Sequence, residues 1–369
     1  MNIPFAGTLL GWAARHFGCV ELLSSFQQAS VQRALLVLTT GIGDAIFSTA
    51  TFDSVRKAFP KADIRLFCRA GWSELFADDP RINDVIPYFG KFRRWVRTIT
   101  CLRTFAPDVV IILHGNDPDI LPLCALSGAR HVVRIPTGGT RYPELLSNRE
   151  RAEDANPLPN IHYVDNRVRI LDTLGIPVLS RTPEMHLSLE RKNRVAAELR
   201  ERFQGRPYWV LHLHAANTYK SLPLAQAKEL ITAALQKFPA LDVVLSGGAK
   251  DRLELCSLLP PDAAKRVWVA AGVLSLADMA ACLAGAQLVL APDTGILHLA
   301  AALDRRVIGL FSPTSPDSVG PRATTAPVTA LSQPQTCSPC SQKKCPYRPA
   351  TCMTQFSANV LIPAMEKML

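Results

Sequence analysis

The chain has no stretch of about 18 or more consecutive apolar residues, which excludes an ordinary membrane-spanning helix. It has no sustained heptads and no internal repeat, which excludes a coiled coil and a solenoid. Its first residues lack the basic start, apolar centre and small-residue cleavage site of a secretory signal. No Gly-Lys-Ser/Thr follows a glycine turn, so a Walker loop is absent, and Gly41-Ile42-Gly43 lacks the third glycine of a dinucleotide fingerprint. Aromatics are scarce at 7%, with no aromatic-basic RNA motif and no compact basic helix, so no nucleic-acid partner is expected. What is present is 369 residues, nearly half of them apolar, with a formal charge of +10. That length suits two domains, and that charge suits an anionic partner: a nucleotide-sugar, a phosphorylated glycolipid or an anionic membrane surface.

One stretch organises the rest. Ala34-Leu35-Leu36-Val37-Leu38 reads as a strand covered on both faces, followed by Gly41-Ile42-Gly43-Asp44 and a helix running to Phe59-Pro60. The glycines permit a tight turn with a substrate close to the backbone. Asp44 stands at the helix start, where a carboxylate is favoured by the dipole, and spacing alone reads it equally well as an N-cap. Strand patterns recur at 64–68, 84–88, 108–114 and 130–134, with helical segments at 72–77, 93–104, 120–127 and 162–174 between or after them. Such alternation predicts βαβ units and a parallel sheet. Lys91, Arg93, Arg94 and Arg97 surround Trp95, and Arg130, His131, Arg134 and Arg141 follow. Arginine forks suit carboxylates and phosphates, so Arg93, Arg94, Arg130 and Arg134 are candidate anion-binding residues beside the alternative of a solvated basic face.

The pattern starts again after a charged helical segment at 181–206. Tyr208 to Leu213 is a strand, followed by His214-Ala215-Ala216-Asn217-Thr218-Tyr219-Lys220-Ser221-Leu222-Pro223. Asp242 to Ser246 is another, ending on Gly247-Gly248-Ala249-Lys250-Asp251. Ser275 reads as the N-cap of a further helix. The densest motif is Val289-Leu290-Ala291-Pro292-Asp293-Thr294-Gly295-Ile296-Leu297-His298-Leu299-Ala300-Ala301-Ala302. It reads as strand, turn and helix, with the Thr294 and Gly295 amides at a helix start that suits an anion. Asp293 could accept hydrogen bonds from sugar hydroxyls, and His298 falls in the first turn. Asp-Thr-Gly also marks aspartic proteases, but those need two copies or a dimer in a β-rich fold.

These motifs, in this order, resemble glycosyltransferase family 9, the ADP-heptose heptosyltransferases of lipopolysaccharide synthesis, over about residues 34–360. The resemblance implies an α/β fold of GT-B architecture, two Rossmann-like domains with parallel sheets facing a central cleft. It implies an inverting, metal-independent transfer of a heptose or related sugar from ADP-heptose to a lipopolysaccharide-core or related lipid-linked glycan. Asp44 would be the base, and Lys220 would contact the donor diphosphate. Gly43, Asn217, Gly248, Asp293, Thr294, Gly295 and His298 would line the donor, with Asp251 on the ribose. No cofactor is required, and a cytoplasmic site at the inner face of the membrane follows. A nucleotide-sugar epimerase of the same fold would not need the first-half basic cluster, and a non-catalytic sugar-nucleotide-binding protein would not need Asp44.

The expected domains are an extension at 1–30 with a probable amphipathic helix docking on the body or a membrane surface; an acceptor domain at 31–185; a linker at 186–206; a donor domain at 207–353; and a helix at 354–369 packing back on the first domain. Cys19, Cys68, Cys101, Cys124, Cys256 and Cys282 are expected as buried thiols. Cys337, Cys340, Cys345 and Cys352 crowd into 16 residues, a spacing that leaves open a structural zinc site or disulfide pairs.

Overall fold

The computed structural model describes residues 3–135, 140–151, 161–260, 265–340, 345, 347 and 351–369. The chain divides into two compact units, Met1–Arg181 and Thr182–Leu369.

The first unit is built on β1 (Arg33–Leu38), β2 (Asp63–Arg69), β3 (Asp84–Tyr88), β4 (Val109–His114) and β5 (His131–Arg134), ordered β3-β2-β1-β4-β5. All neighbouring strands are parallel. Ala34 to Leu38 are buried without interruption, as a central strand with both faces covered requires. Helix α1 (Ile3–Phe17), from the amino-terminal extension, lies on this unit with Leu10 and Ala14 in its core. The helix after Gly41 is not continuous. It runs as α2 (Ile42–Ser48), a 3-10 turn (Thr49–Thr51) and α3 (Phe52–Ala58). The cause is local: the Ser48, Thr49 and Thr51 hydroxyls donate back to the carbonyls of Asp44, Ile46 and Ser48 at 2.7–2.8 Å, which tightens the chain. Helices α4 (Trp95–Phe105), α5 (Ile120–Ala125) and α6 (Tyr163–Thr173) complete the elements used below.

The second unit carries a six-stranded sheet: β6 (Tyr208–His212), β7 (Asp242–Ser246), β8 (Val267–Val269), β9 (Val289–Pro292), β10 (Val307–Phe311) and β11 (Val328–Ser332). The order is β11-β10-β9-β6-β7-β8, again all parallel. The segment expected as a linker is largely α7 (Leu189–Arg202), and it belongs to this unit. It packs on α9 (Leu276–Gly285), itself preceded in the chain by α8 (Leu224–Lys237). Arg191 pairs with Asp278 at 2.8 Å and Arg194 pairs with the same carboxylate, while Val195 and Leu199 are buried. Charged residues at that spacing look like a solvated link until the partner aspartate, about 85 residues away, is placed beside them.

The motif helix α10 (Gly295–Ala302) follows β9, and the chain closes on α11 (Ala358–Met368). This last helix was expected against the first domain. Its apolar face instead fills the second unit's own core, where Leu361, Met365 and Met368 pack with Leu230, Ile231 and Ala234 of α8 and with Phe356. Apolar spacing fixes that a helix needs a partner, not which one. Of the six scattered cysteines, Cys68, Cys124 and Cys282 are buried, with burial pushing the Cys68 and Cys282 thiols up to about 12, whereas Cys19 and Cys101 are exposed.

Phe356 is fully buried in the second core. Truncation to alanine there should cost about 3–5 kcal/mol. Urea unfolding followed by tryptophan fluorescence measures the shift in midpoint, and an unchanged midpoint would take Phe356 out of this core.

Candidate active site

Ligands of open parallel sheets gather beyond the carboxyl ends of the strands, so those ends are the place to look in each unit. In the first unit, β1 delivers Thr40, Gly41, Gly43 and Asp44, and β4 delivers His114. Gly41 takes the N-cap position with extended backbone, and Asp44 lies in the first turn of α2. Its carboxylate is held from outside the helix: Arg167 Nη2, from α6, donates to Oδ1 at 2.8 Å. The guanidinium is buried, so its charge is poorly screened and sets the position of the carboxylate. His114 Nδ1 lies 3.8 Å from Asp44 Oδ2 and hydrogen-bonds Thr40 Oγ1. Burial, together with the nearby Arg167 and Arg134, pulls the His114 pKa down to about 4 against the opposing effect of Asp44. The ring is therefore neutral near neutral pH, and its contact with Asp44 is dipolar rather than an ion pair.

In the second unit the focus is Asp293, immediately after β9. Three side chains from three segments converge on it. Lys220 Nζ donates to Oδ2 at 2.8 Å, Thr314 Oγ1 to the same oxygen at 2.9 Å, and His298 Nε2 to Oδ1 at 3.2 Å. Burial works to raise the Asp293 pKa, but the His298 hydrogen bond and the Lys220 charge outweigh it and hold the carboxyl well below the usual range. Beside this knot, the buried Thr294 Oγ1 has no hydrogen-bond partner among the described residues. Thr294 is the N-cap of α10 and its side chain caps nothing. A cation, an unengaged buried hydroxyl and a helix amino end in one corner form a cradle for an oxyanion.

The description "Glycosyltransferase family 9 (heptosyltransferase)" matches residues 136–351, more than half of the chain. The chain belongs to glycosyltransferase family 9. It is 29% identical over 344 residues to lipopolysaccharide heptosyltransferase 1 of Pseudomonas aeruginosa, covering 86% of this chain and 88% of that protein. The structure of ADP-heptose LPS heptosyltransferase II of Escherichia coli superposes with a TM-score of 0.72 at 19% identity, covering 91% of this chain and 98% of that one. The E. coli heptosyltransferase WaaC with ADP gives 0.65 at 21% identity, covering 91% and 100%. The protein is thus a glycosyltransferase with the GT-B fold.

Within this family member, the site residues read from the sequence sort as follows. Lys220, Asp293, Thr294, Gly295 and His298 come together, as do Gly43 and Asp44. Asn217 donates to the Tyr219 hydroxyl at 3.2 Å and starts the 3-10 turn that carries Lys220. Gly248 follows β7, and its amide is taken by Asp251 Oδ2 at 2.8 Å. Asp251 is buried in that turn and closes it. Arg134 ends β5, half-buried and bonded to Asn116 at 2.9 Å, while Arg93 and Arg94 are exposed in the loop after β3, with Arg94 over the Phe89 ring. Arg130 does not belong with them. It precedes β5, at the opposite edge of the sheet, and pairs with Glu21 at 2.9 Å.

Among the described residues no three His, Cys, Asp or Glu side chains are placed to hold an ion, although Cys337, Cys340 and Cys345 lie near enough to Cys352 to help burial push its thiol pKa up. Cys352 and Met353 lie in the second core, and Cys337 is exposed. All ten cysteines are free thiols, so no disulfide joins the four. An Asp-x-Asp sequence does follow β4, but Asp117 pairs with Arg69 at 2.9 Å, and Asp119 accepts from the Tyr88 hydroxyl and the Phe92 amide at 2.8 Å each.

Sequence reasoning missed Arg167, His114 and Thr314 as site residues. For Arg167 a signal existed. It shares the i, i+3, i+4, i+7 stripe of Val164, Val168 and Leu171, and an arginine on a buried stripe needs a carboxylate partner.

The sign of the Asp293 shift sets a pH dependence. A depressed folded pKa gives stability that is present above the unfolded value of about 4 and is lost as pH falls below it. Lys220→Met should therefore be less stable than the parent at about pH 7, with the gap narrowing below about pH 4. Urea unfolding across that range is the check, and a gap independent of pH would mean the ion pair does not hold Asp293.

Proposed function

We propose that this glycosyltransferase moves a heptose from ADP-heptose to a hydroxyl of a lipopolysaccharide-core or related lipid-linked glycan, with inversion at the anomeric carbon. The observation that carries the reading is the Asp293 corner, where a cation, a buried unpaired hydroxyl and the start of α10 face one spot. The names of the relatives, heptosyltransferases of lipopolysaccharide and a neighbour with ADP bound, agree with it.

In this reaction the acceptor oxygen forms a bond to the anomeric carbon on one face. The bond from that carbon to the diphosphate breaks on the other, and ADP leaves with the electron pair. The acceptor proton passes to Asp44, whose carboxylate Arg167 aims. Neutral His114 adds no positive charge that would compete for that carboxylate. Lys220 and the amides at Thr294 and Gly295 neutralise the charge that grows on the departing diphosphate, and need no metal to do so. Asp293, locked in its ionised form, accepts from sugar hydroxyls and fixes the Lys220 ammonium, with His298 holding it from below. Gly43 leaves room for the reacting groups near the backbone, and Asn217 and Gly248 line the nucleotide. Arg93, Arg94 and Arg134 attract the anionic groups of the acceptor. A lipid-linked acceptor places the reaction at the inner face of the cytoplasmic membrane.

Asp44→Asn should lower transfer by about 10²–10⁴-fold while leaving donor binding intact, because general-base catalysis contributes on that scale. Transfer is measured with ADP-heptose and a lipopolysaccharide-core acceptor, and binding by thermal shift with the donor alone. Undiminished transfer would remove Asp44 as the base. A clear thermal shift with another nucleotide-sugar and none with ADP-heptose would replace the donor and leave the fold untouched.

A further inference from the structure

Residues 1–20 contain no aspartate or glutamate; the first acid is Glu21. Helix α1, which they form, is fully committed on one side. Ala6, Leu10 and Ala14 are 5%, 3% and 1% exposed. Gly7 and Gly11 lie so close to the Phe92 and Tyr142 rings that an added Cβ would meet them at 3.1 and 2.5 Å. The opposite arc of the same helix faces outward with the wrong composition for water. Leu9 and Trp12 are 40% and 48% exposed, and Phe17, at the end of the helix, is 60% exposed. Trp12 lies at 4.5 Å from the His16 ring and edge-on to Phe17 at 5.9 Å, so the aromatics form one exposed cluster. Arg15, which pairs with Glu144 at 2.6 Å, and His16 are the charged or titratable residues of this arc. Arg93 and Arg97, both exposed, flank the Phe92 that α1 rests on.

We propose that the outward arc of α1 is a membrane-docking surface that seats Leu9, Trp12 and Phe17 among the headgroups of an anionic phospholipid bilayer. Tryptophan is favoured at such an interface because its ring is apolar and its N–H stays wet. The exposed Arg93 and Arg97 beside the helix, and the absence of any acid along it, match a negatively charged leaflet rather than another protein surface of mixed charge. At 15 residues the helix is too short to span a bilayer, so it lies on the surface. This gives the membrane contact of the proposed reaction its own element. Vesicle binding is read without donor or acceptor, so its failure and the failure of the transfer reading are separable.

The test uses the full chain with vesicles of an equimolar phosphatidylglycerol–phosphatidylcholine mixture and of phosphatidylcholine alone. The parent protein should sediment with the first and much less with the second. A variant carrying Leu9→Glu and Trp12→Glu should lose about tenfold or more of that partitioning, with donor-induced thermal shift unchanged. Equal partitioning of parent and variant would overturn the proposal. So would a parent dimer in sedimentation velocity that the variant abolishes while vesicles bind neither. If the double variant does not fold, brominated-lipid quenching decides instead. Quenching of the parent's tryptophan fluorescence that is largely lost in Trp12→Phe supports the proposal, and identical quenching in both overturns it.

Discussion

A carboxylate cannot sit nearly dry at the end of a strand without partners, and Asp293 has three. Lysine, threonine and histidine reach it from the loops after β6 and β10 and from the first turn of α10. Their hydrogen bonds and charge overcome the desolvation that would otherwise neutralise it. The consequence is structural before it is chemical. Three crossovers of the second sheet are tied at one point, and the Lys220 ammonium is held in place beside the Thr294 hydroxyl. Without the aspartate, Lys220 would be a long side chain on a loop with no fixed position.

The first unit solves the same problem with one strong partner. Asp44 stands at a helix start, where a carboxylate is comfortable, yet its orientation comes from a buried guanidinium on α6. An ion pair with a buried arginine fixes the carboxylate in one geometry, which the proposed proton transfer needs. The neutral His114 adds a hydrogen-bonding wall without a competing charge. Both clusters stand at the carboxyl ends of their sheets, where ligands of open parallel sheets gather.

Much of this was readable in advance. The five strands and four later helical segments of the first unit fall close to the expected positions, because a strand buried on both faces announces itself as an apolar run. The members of the Asp-Thr-Gly-x-x-His motif come together because they are close in sequence and the turn that joins them is local. Arg130 misled for the converse reason. It is a plausible anion contact by type and position, and it turned out to stand at the amino end of β5, engaged by Glu21. The linker misled in the same way, since nothing near residues 189–202 shows that Asp278 completes their charge.

The sequence by itself determined the two parallel-sheet units, the glycine turns and the family, and it singled out Asp44, Lys220, Asp293 and His298 as candidates. All of these rest on patterns within about twenty residues, where periodicity, capping and turn chemistry act. Only the tertiary structure decided which distant groups meet. It placed Arg167 on Asp44, Thr314 on Asp293, α11 in the second core, and α1 with its aromatic arc turned outward. Those pairings depend on burial and on partners more than a hundred residues apart in some cases, and no local pattern encodes a desolvated charge until its counter-charge is in place.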